Sequence, residues 1–157
     1  MTPSLLFDLG GIDLDSILYD VAAIERVNPH RGNMRLLDGI VWAKPEAGNA
    51  VAYHDVRSDA FWVEGHIPGR PLMPGVLMIE VAAQTASFYS LLILETAEFM
   101  GFVAADDIKF RGQVEPGNRL YILAHLIELR RRRSICKCQG LVDGRIVFEG
   151  TITGMPM

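Results

Sequence analysis

The chain has 157 residues, half of them hydrophobic, and a formal net charge of -4 at pH 7. Its length predicts one domain with a single core, and its ordinary charged fraction excludes a disordered chain. The acidic balance gives no reason to expect nucleic-acid binding, and the first residues lack the basic segment of a signal peptide. We expect one cytoplasmic domain spanning residues 1–157.

A helix followed by two strands is predicted for the first third of the chain. Apolar spacing predicts an amphipathic helix over residues 14–27, with Ile17 and Ile24 near one face. Asp13 or Asp15 would stand at its start, and the segment NPHRGN would end it. Two strand-like stretches joined by a turn follow, over residues 34–43 and 50–56.

A long apolar run stands at the centre of the sequence. Residues 76–94 read VLMIEVAAQTASFYSLLIL, and roughly 20 apolar residues are enough to cross a membrane as a helix. Glu80 and Gln84 argue against a membrane span, because a carboxylate in hydrocarbon costs about 2.5–3.5 kcal/mol. A helix that is apolar on every side is otherwise buried inside a protein. We expect this run to be the core helix of the domain.

The rest of the chain has the pattern of β-structure. Strand-like stretches lie on both sides of the turn EPGN, and Asp143–Gly144 gives a strong hairpin signal between the last two. About four strands therefore follow the long helix. The whole order predicts an α+β fold in which an antiparallel sheet wraps around one apolar helix.

The cysteines and three of the histidines show no sign of a metal site. Cys136 and Cys138 alternate on a predicted strand, which suits a disulfide poorly, and two thiolates are too few for a closed zinc site. His30, His54 and His125 are scattered without ligand spacing. We expect the cysteines to be reduced and half-buried.

A stiff loop precedes the long helix. Pro68, Pro71 and Pro74 fix φ at three positions of HIPGRPLMPG. The same spacing occurs in polyproline ligands, but the apolar residues between the prolines and the helix that follows favour a structural loop. Such a loop would hold His66 in place before a reaction begins.

Gly75, Glu80 and Gln84 lie along the start of the long helix. Backbone N–H groups there have no intrahelical partner, and a glycine lets a ligand oxygen approach them, although Gly75 alone fits a plain helix start equally well. Glu80 lies about 7.5 Å along the axis from Gly75. Gln84 is one turn further, within reach of the Glu80 carboxyl. A lone carboxyl on an apolar helix requires a partner or a function.

A histidine, a carboxyl group and a backbone donor suit the elimination of water from a 3-hydroxyacyl thioester. Imidazoles titrate near neutral pH, so His66 would remove the proton next to the carbonyl. Desolvation disfavours a charged carboxylate, so Glu80 would protonate the leaving hydroxyl. The Gly75 amide would stabilise charge on the carbonyl oxygen.

These residues resemble the FabZ-type 3-hydroxyacyl-[acyl-carrier-protein] dehydratases of fatty acid synthesis, which have the hot-dog fold. The similarity extends over residues 14–154 and includes the segments NPHR, GHIPGRPLMPGVLMIEVAAQ and IKFRGQVEPGN. It implies that His66 and Glu80 are the catalytic pair and that Gly75 binds the thioester carbonyl, with Gln84 in support. Residues 1–13 would be an N-terminal extension.

The resemblance also implies how the substrate is bound. It implies a site at a dimer interface, where the histidine of one subunit faces the glutamate of the other, and often a hexamer of three dimers. The acyl chain would arrive on acyl carrier protein or coenzyme A, and no metal or organic cofactor takes part. A tunnel beside the central helix would hold the chain, lined by Ile67, Met73, Pro74, Val76, Phe102 and Phe110.

The sequence departs from the FabZ pattern at several positions. Residues 32–34 read GNM where the family has Tyr-Pro-Phe, Ile67 stands where the family has phenylalanine, and residues 111–114 read RGQV instead of RRPV. These changes affect the expected tunnel shape, gating and carrier docking rather than the acid or the base. Arg130–Arg133 is interpreted as a solvated strand end, with docking of an acidic carrier as the alternative.

Two other functions remain open from the sequence. A hot-dog thioesterase or enoyl hydratase would share the fold, but hydrolysis does not need a base aimed at the α-carbon. A non-catalytic acyl-binding subunit would hold acyl chains without turnover. The acyl chain length, the presence of isomerase activity and the choice between dimer and hexamer do not follow from the residues.

Overall fold

The structure is a computed structural model and describes residues 3–157. Residues 1 and 2 of the predicted N-terminal extension lie outside the described residues. In chain order the elements are α1 (Val21–Val27), β1 (Gly39–Lys44), β2 (Asn49–Asp55), α2 (Gly75–Leu94), β3 (Met100–Phe110), β4 (Arg119–Arg130), β5 (Arg133–Val142) and β6 (Arg145–Pro156).

The six strands form one antiparallel sheet around α2. The strand order is β1-β2-β4-β5-β6-β3, so β1 and β3 are the edge strands. The helix packs against strands on both sides of the sheet centre, and its middle turns are buried. The predicted α+β architecture, a sheet wrapped around one apolar helix, is therefore confirmed.

The burial of α2 explains its composition. The helix is long and apolar enough to cross a membrane, yet most of it is buried against the sheet and the segment before β1. In the middle turns of the helix, side chains from every side meet the core, as expected for a segment without a solvated face. Buried residues include Met78, Val81, Ala82, Ala86 and Phe88.

Helix α1 is shorter than predicted. The predicted helix over residues 14–27 begins only at Val21, because Asp20 caps it by accepting a hydrogen bond from the Ala23 amide at 2.9 Å. Before the cap, Leu14 and Asp15 form a turn, Leu18 lies at a bend, and Tyr19 forms an isolated antiparallel bridge with Ile40. Strand pairing therefore overrides the apolar spacing in this segment.

The four strands after α2 follow the predicted pattern. The hairpin between β5 and β6 turns at Asp143 and Gly144, which both have positive φ (49° and 74°), as the sequence predicts for this turn. Strand β3 begins at Met100 and continues without a break to Phe110. A register shift near Asp107, itself at φ 52°, accounts for the interruption of the apolar pattern.

The two cysteines are more buried than predicted. Cys136 and Cys138 are 0% and 1% exposed, rather than half-buried, because both belong to the core cluster around α2. Their thiols are free and lie 3.8 Å apart. The neighbouring Cys136 thiol and burial together raise the pKa of Cys138 well above its ordinary value.

The chain before α1 covers the outer face of the sheet. Leu6 and Phe7 pack against a second apolar cluster on this face, and the Phe7 ring lies 5.8 Å from the Trp42 ring. The Leu6 amide donates to the Gln139 side chain at 2.8 Å, which fixes the segment on β5. The described part of the predicted extension thus packs on the sheet.

Candidate active site

His66 is held on the loop between β2 and α2. Its amide donates to the Trp62 carbonyl at 2.9 Å, and its Nδ1 lies 2.8 Å from the Leu72 carbonyl oxygen. A carbonyl oxygen only accepts, so Nδ1 carries the proton of the neutral ring. The Nε2 lone pair of this exposed imidazole is then free to act as a base.

The loop that carries His66 is itself anchored to the core. The Met73 amide donates to the Val114 carbonyl at 2.8 Å, and the Met73 side chain is 4% exposed. Turn hydrogen bonds within the loop join Arg70 to Ile67 and Leu72 to Arg70. These contacts and the prolines make the loop a fixed support for the imidazole.

Gly75 opens α2 directly below an aromatic ring. A Cβ atom on Gly75 would lie 2.9 Å from Cε1 of Phe110, so only glycine lets the ring approach this closely. Pro74 precedes it as the N-cap residue and makes no side-chain cap hydrogen bond. The backbone N–H groups in the first turn of α2 therefore receive no hydrogen bond from the Pro74 side chain.

Glu80 is oriented by Gln84, one turn further along α2. The Gln84 Nε2 donates to Glu80 Oε1 at 2.8 Å and to the Met34 carbonyl at 2.7 Å. The Gln84 Oε1 accepts from the Leu36 and Leu37 amides at 3.0 and 3.2 Å. All of these contacts require the same orientation of the Gln84 amide group. The nitrogen of this buried side chain therefore faces the Glu80 carboxyl.

Asp38 braces the segment that contacts Gln84. It accepts hydrogen bonds from the Asp55 amide at 2.7 Å, from Arg35 at 2.9 Å and from His54 at 3.1 Å. His54 also donates to the Leu36 carbonyl at 2.6 Å. Burial alone would raise the pKa of Asp38, but the hydrogen bonds from His54, the Asp55 amide and Arg35 outweigh it and lower that pKa.

Glu80 opens onto a pocket between α2 and the strands β3, β5 and β6. The pocket has a volume of about 240 Å³ and mainly apolar walls. Glu80 and Gln84 lie on its helix side, and two serine hydroxyls stand further along. It is lined by Pro29, His30, Glu80, Ala83, Gln84, Ala86, Ser87, Phe99, Met100, Gly101, Phe102, Ser134, Ile152 and Gly154.

The predicted site residues are only partly brought together within one chain. Glu80 and Gln84 share the pocket with Phe102, one of the six predicted tunnel residues. Among residues 3–157, His66 is not part of the pocket walls. The other predicted tunnel residues also lie outside it: Met73 is buried in the core, Pro74 precedes α2, and Ile67, Val76 and Phe110 are exposed.

His30 is a residue of this site that the sequence reasoning missed. Its Nε2 lies 3.5 Å from Glu80 Oε1, and both side chains line the pocket. The scattered positions of the histidines gave no reason to connect it with a residue 50 positions away. Its place in the segment NPHR was the available signal, because this segment belongs to the recognised resemblance.

The six-stranded antiparallel sheet around one long helix places the protein in the hot-dog class. The chain belongs to the family whose model is described as a FabA-like domain, which matches residues 28–151. Among its curated relatives is the 3-hydroxyacyl-[acyl-carrier-protein] dehydratase FabZ of Streptococcus equi subsp. zooepidemicus. It is 35% identical over 137 residues, which cover 87% of this chain and 96% of the relative. The FabZ of Caldicellulosiruptor saccharolyticus is 34% identical over 139 residues, covering 86% and 96% of the two chains.

Solved structures with low sequence identity share the same fold. The dehydratase heterocomplex ApeI:P from Xenorhabdus doucetiae matches with a TM-score of 0.74 at 15% identity, over 85% of this chain and 90% of that chain. A sigma28-regulated virulence protein from Campylobacter jejuni matches with a TM-score of 0.68, over 93% and 96% of the two chains. The predicted hot-dog fold and the resemblance to FabZ-type dehydratases are both confirmed.

Proposed function

We propose that this chain eliminates water from 3-hydroxyacyl chains on acyl carrier protein, with His66 as the base and Glu80 as the acid. The activity is that of its FabZ relatives, and the chain is a dehydratase of fatty acid biosynthesis. The observation that carries the residue assignment is the Glu80 carboxyl, which faces an apolar pocket and is oriented by Gln84 at 2.8 Å. We propose that the enzyme acts in the cytoplasm.

The proposed reaction moves two protons and breaks one C–O bond. Nε2 of His66 takes the proton from the carbon next to the thioester carbonyl, and the Gly75 amide stabilises the charge on the carbonyl oxygen. The bond to the 3-hydroxyl then breaks as Glu80 protonates the leaving oxygen. Water and a trans-2-enoyl thioester result, and solvent returns the protons to their starting positions. No metal or organic cofactor enters these steps.

We propose that two subunits complete each site. The Glu80 pocket lacks His66 within one chain, and in a dimer the loop of a partner copy would supply the imidazole. Strand β3 is an edge strand beside this pocket, and its side chains Phe102, Val103 and Phe110 are 54%, 51% and 51% exposed. Edge strands with apolar side chains favour pairing with another copy. A hexamer of three dimers stays a prediction.

The acyl chain would occupy the apolar part of the pocket. Its walls come from α2 and from the strands β3, β5 and β6, and most of its helix residues follow Glu80 in the chain, whereas the loop of His66 precedes α2. In this arrangement the thioester lies near the start of α2 and the acyl tail extends along the helix. The predicted lining residues Ile67, Met73, Pro74, Val76 and Phe110 would then contribute around the carrier arm, on one or the other subunit.

Turnover of defined thioesters tests the proposed function. Purified protein is given 3-hydroxyacyl thioesters of several chain lengths, and the absorbance of the conjugated product and the free thiol are both followed. We expect conjugated product without thiol release, and losses of about 10²-fold or more in His66→Ala and Glu80→Gln. The control His125→Gln replaces a histidine paired with Asn49 on the sheet and should turn over normally.

Three results would contradict the proposal. Release of free thiol would indicate a thioesterase. Acyl binding without turnover at every chain length would indicate a non-catalytic subunit. Normal turnover in either of the variants His66→Ala and Glu80→Gln would remove that residue from the mechanism.

A further inference from the structure

His30 faces the carboxyl group of Glu80 from outside α2. The His30 Nε2 atom lies 3.5 Å from Glu80 Oε1, the same oxygen that accepts the hydrogen bond from Gln84. Both His30 and Glu80 are 26% exposed and line the same pocket. Glu80 Oε1 therefore has two nitrogen neighbours, His30 Nε2 and Gln84 Nε2.

The backbone on both sides of His30 is attached to other parts of the protein. Asn28 is 2% exposed, and it donates to the Gln84 carbonyl at 2.9 Å and accepts from the Ser87 hydroxyl at 3.1 Å. The Arg31 guanidinium donates to the His30 carbonyl at 2.8 Å and to the Glu25 carbonyl at 2.6 Å. These contacts fix the loop on the helix turns that follow Glu80.

The other ring nitrogen of His30 identifies the tautomer. Among the side chains of residues 3–157, His30 Nδ1 is the one buried nitrogen or oxygen atom without a hydrogen-bond partner. If Nδ1 carried the proton, its N–H would be a buried donor without an acceptor, which is costly. A proton on Nε2 avoids this unsatisfied donor, and Nε2 is the nitrogen that lies 3.5 Å from Glu80 Oε1.

We propose that His30 is a positioning residue for Glu80. This inference rests on the proposed role of Glu80 as the acid. Nε2–H of His30 and the amide of Gln84 would both donate to Oε1, so the proton of the neutral carboxyl resides on Oε2. The distance of 3.5 Å is longer than an ordinary hydrogen bond, and catalytic hydrogen bonds are often long before substrate binds. His30 thus selects which oxygen of Glu80 protonates the leaving hydroxyl.

Three substitutions distinguish the contributions of the two ring nitrogens of His30. His30→Gln places an amide nitrogen near the position of Nε2, His30→Asn places one near Nδ1, and His30→Ala removes both. We expect His30→Gln to keep kcat within about threefold, while His30→Asn and His30→Ala lose about 10- to 100-fold. KM should change little in all three, because the residue acts on Glu80 rather than on the acyl chain. His125→Gln is the matched control.

The result for His30→Gln decides between positioning and other roles. Turnover as low as in His30→Ala would mean that a neutral donor is not enough, and would overturn the proposal. Parallel losses of Tm and kcat in all three variants would indicate packing and would also overturn it. Normal kcat in His30→Ala refutes this inference alone if Glu80→Gln is inactive, whereas an active Glu80→Gln enzyme refutes the proposed role of Glu80.

Discussion

Gln84 donates a 2.8 Å hydrogen bond to Glu80 while the rest of its amide group is fixed by the backbone of the segment before β1. The carboxyl therefore takes its orientation from two parts of the chain that are about 50 positions apart. Changes in this support should alter turnover even though the changed residues never touch the substrate. Asp38 is the clearest place to test this, because it holds the segment in place.

Asp38→Asn should lower both stability and turnover. The substitution removes the charge from three hydrogen bonds but keeps an acceptor oxygen, and a hydrogen bond to a charged group contributes about 1.5–3 kcal/mol against about 1 kcal/mol for a neutral one. We expect a loss of roughly 2 kcal/mol in the free energy of unfolding, measured in urea at pH 7. Turnover should fall severalfold, because the Leu36 and Leu37 amides that hold Gln84 belong to the braced segment.

The effect of Asp38→Asn should also depend on pH. The pKa of Asp38 is lowered in the folded protein, so its stabilisation is present above the ordinary carboxyl pKa and is lost as pH falls through the folded value. The difference in unfolding free energy between wild type and variant should therefore shrink between pH 7 and about pH 3. Asp59→Asn, in an exposed pair with Arg57, is the control and should show no such change. A constant difference for Asp38→Asn would contradict this assignment.

Gly75→Ala should reduce turnover more than stability. The new Cβ would lie 2.9 Å from the Phe110 ring, so either the ring or the start of α2 has to shift. Because removal of an oxyanion donor costs about 10²–10³ in rate, even a partial displacement should lower kcat/KM by about tenfold. Kinetics and thermal unfolding of Gly75→Ala measure this, with Phe110→Leu as the comparison for the ring alone. Full activity in Gly75→Ala would argue against a role for this amide.

Reversal of the charges of Arg131 and Arg132 should leave the turnover of substrates on acyl carrier protein unchanged. Glu128 is paired with Arg133 at 2.8 Å and with Arg130 at 3.6 Å, whereas Arg131 and Arg132 stand at the tip of the β4–β5 hairpin. The hairpin lies beside Ser134, which bonds to Ser90, and Ser90 is about 15 Å along α2 from Glu80. The arginines are therefore at the far end of the helix from the acid.

The measurement compares carrier-bound and carrier-free substrates in the double variant Arg131→Glu/Arg132→Glu. We expect KM for a 3-hydroxyacyl chain on acyl carrier protein to change by less than about twofold at low salt. A rise of tenfold for the carrier-bound substrate, with an unchanged KM for a pantetheine thioester, would show instead that the hairpin docks the carrier.

Local patterns in the sequence were sufficient for most of the fold. The strands β4, β5 and β6 follow from alternation and from the Asp143–Gly144 turn, because side-chain period and turn chemistry are local properties. The start of α1 could not be predicted in the same way, since it depends on the bridge between Tyr19 and Ile40. Pairing between distant segments leaves no signature in the spacing of either one.

In the site, too, contacts between residues close in the sequence were predictable, and contacts between distant residues were not. Glu80 and Gln84 are one turn apart on a helix, so their hydrogen bond was predictable. The approach of His30 to Glu80 depends on Asn28, which joins the end of α1 to α2. No spacing rule relates positions 30 and 80, so the contact between His30 and Glu80 is found only in the folded chain.

Mixed dimers give the most direct test of a site shared by two subunits. His66→Ala and Glu80→Gln chains carry different tags and are expressed together, and dimers that contain one of each are isolated. One of the two sites then has both residues and the other has neither, so mixed dimers should regain about half of the wild-type turnover. Mixed dimers as inactive as the two single variants would contradict an imidazole of one chain acting with the carboxyl of the other.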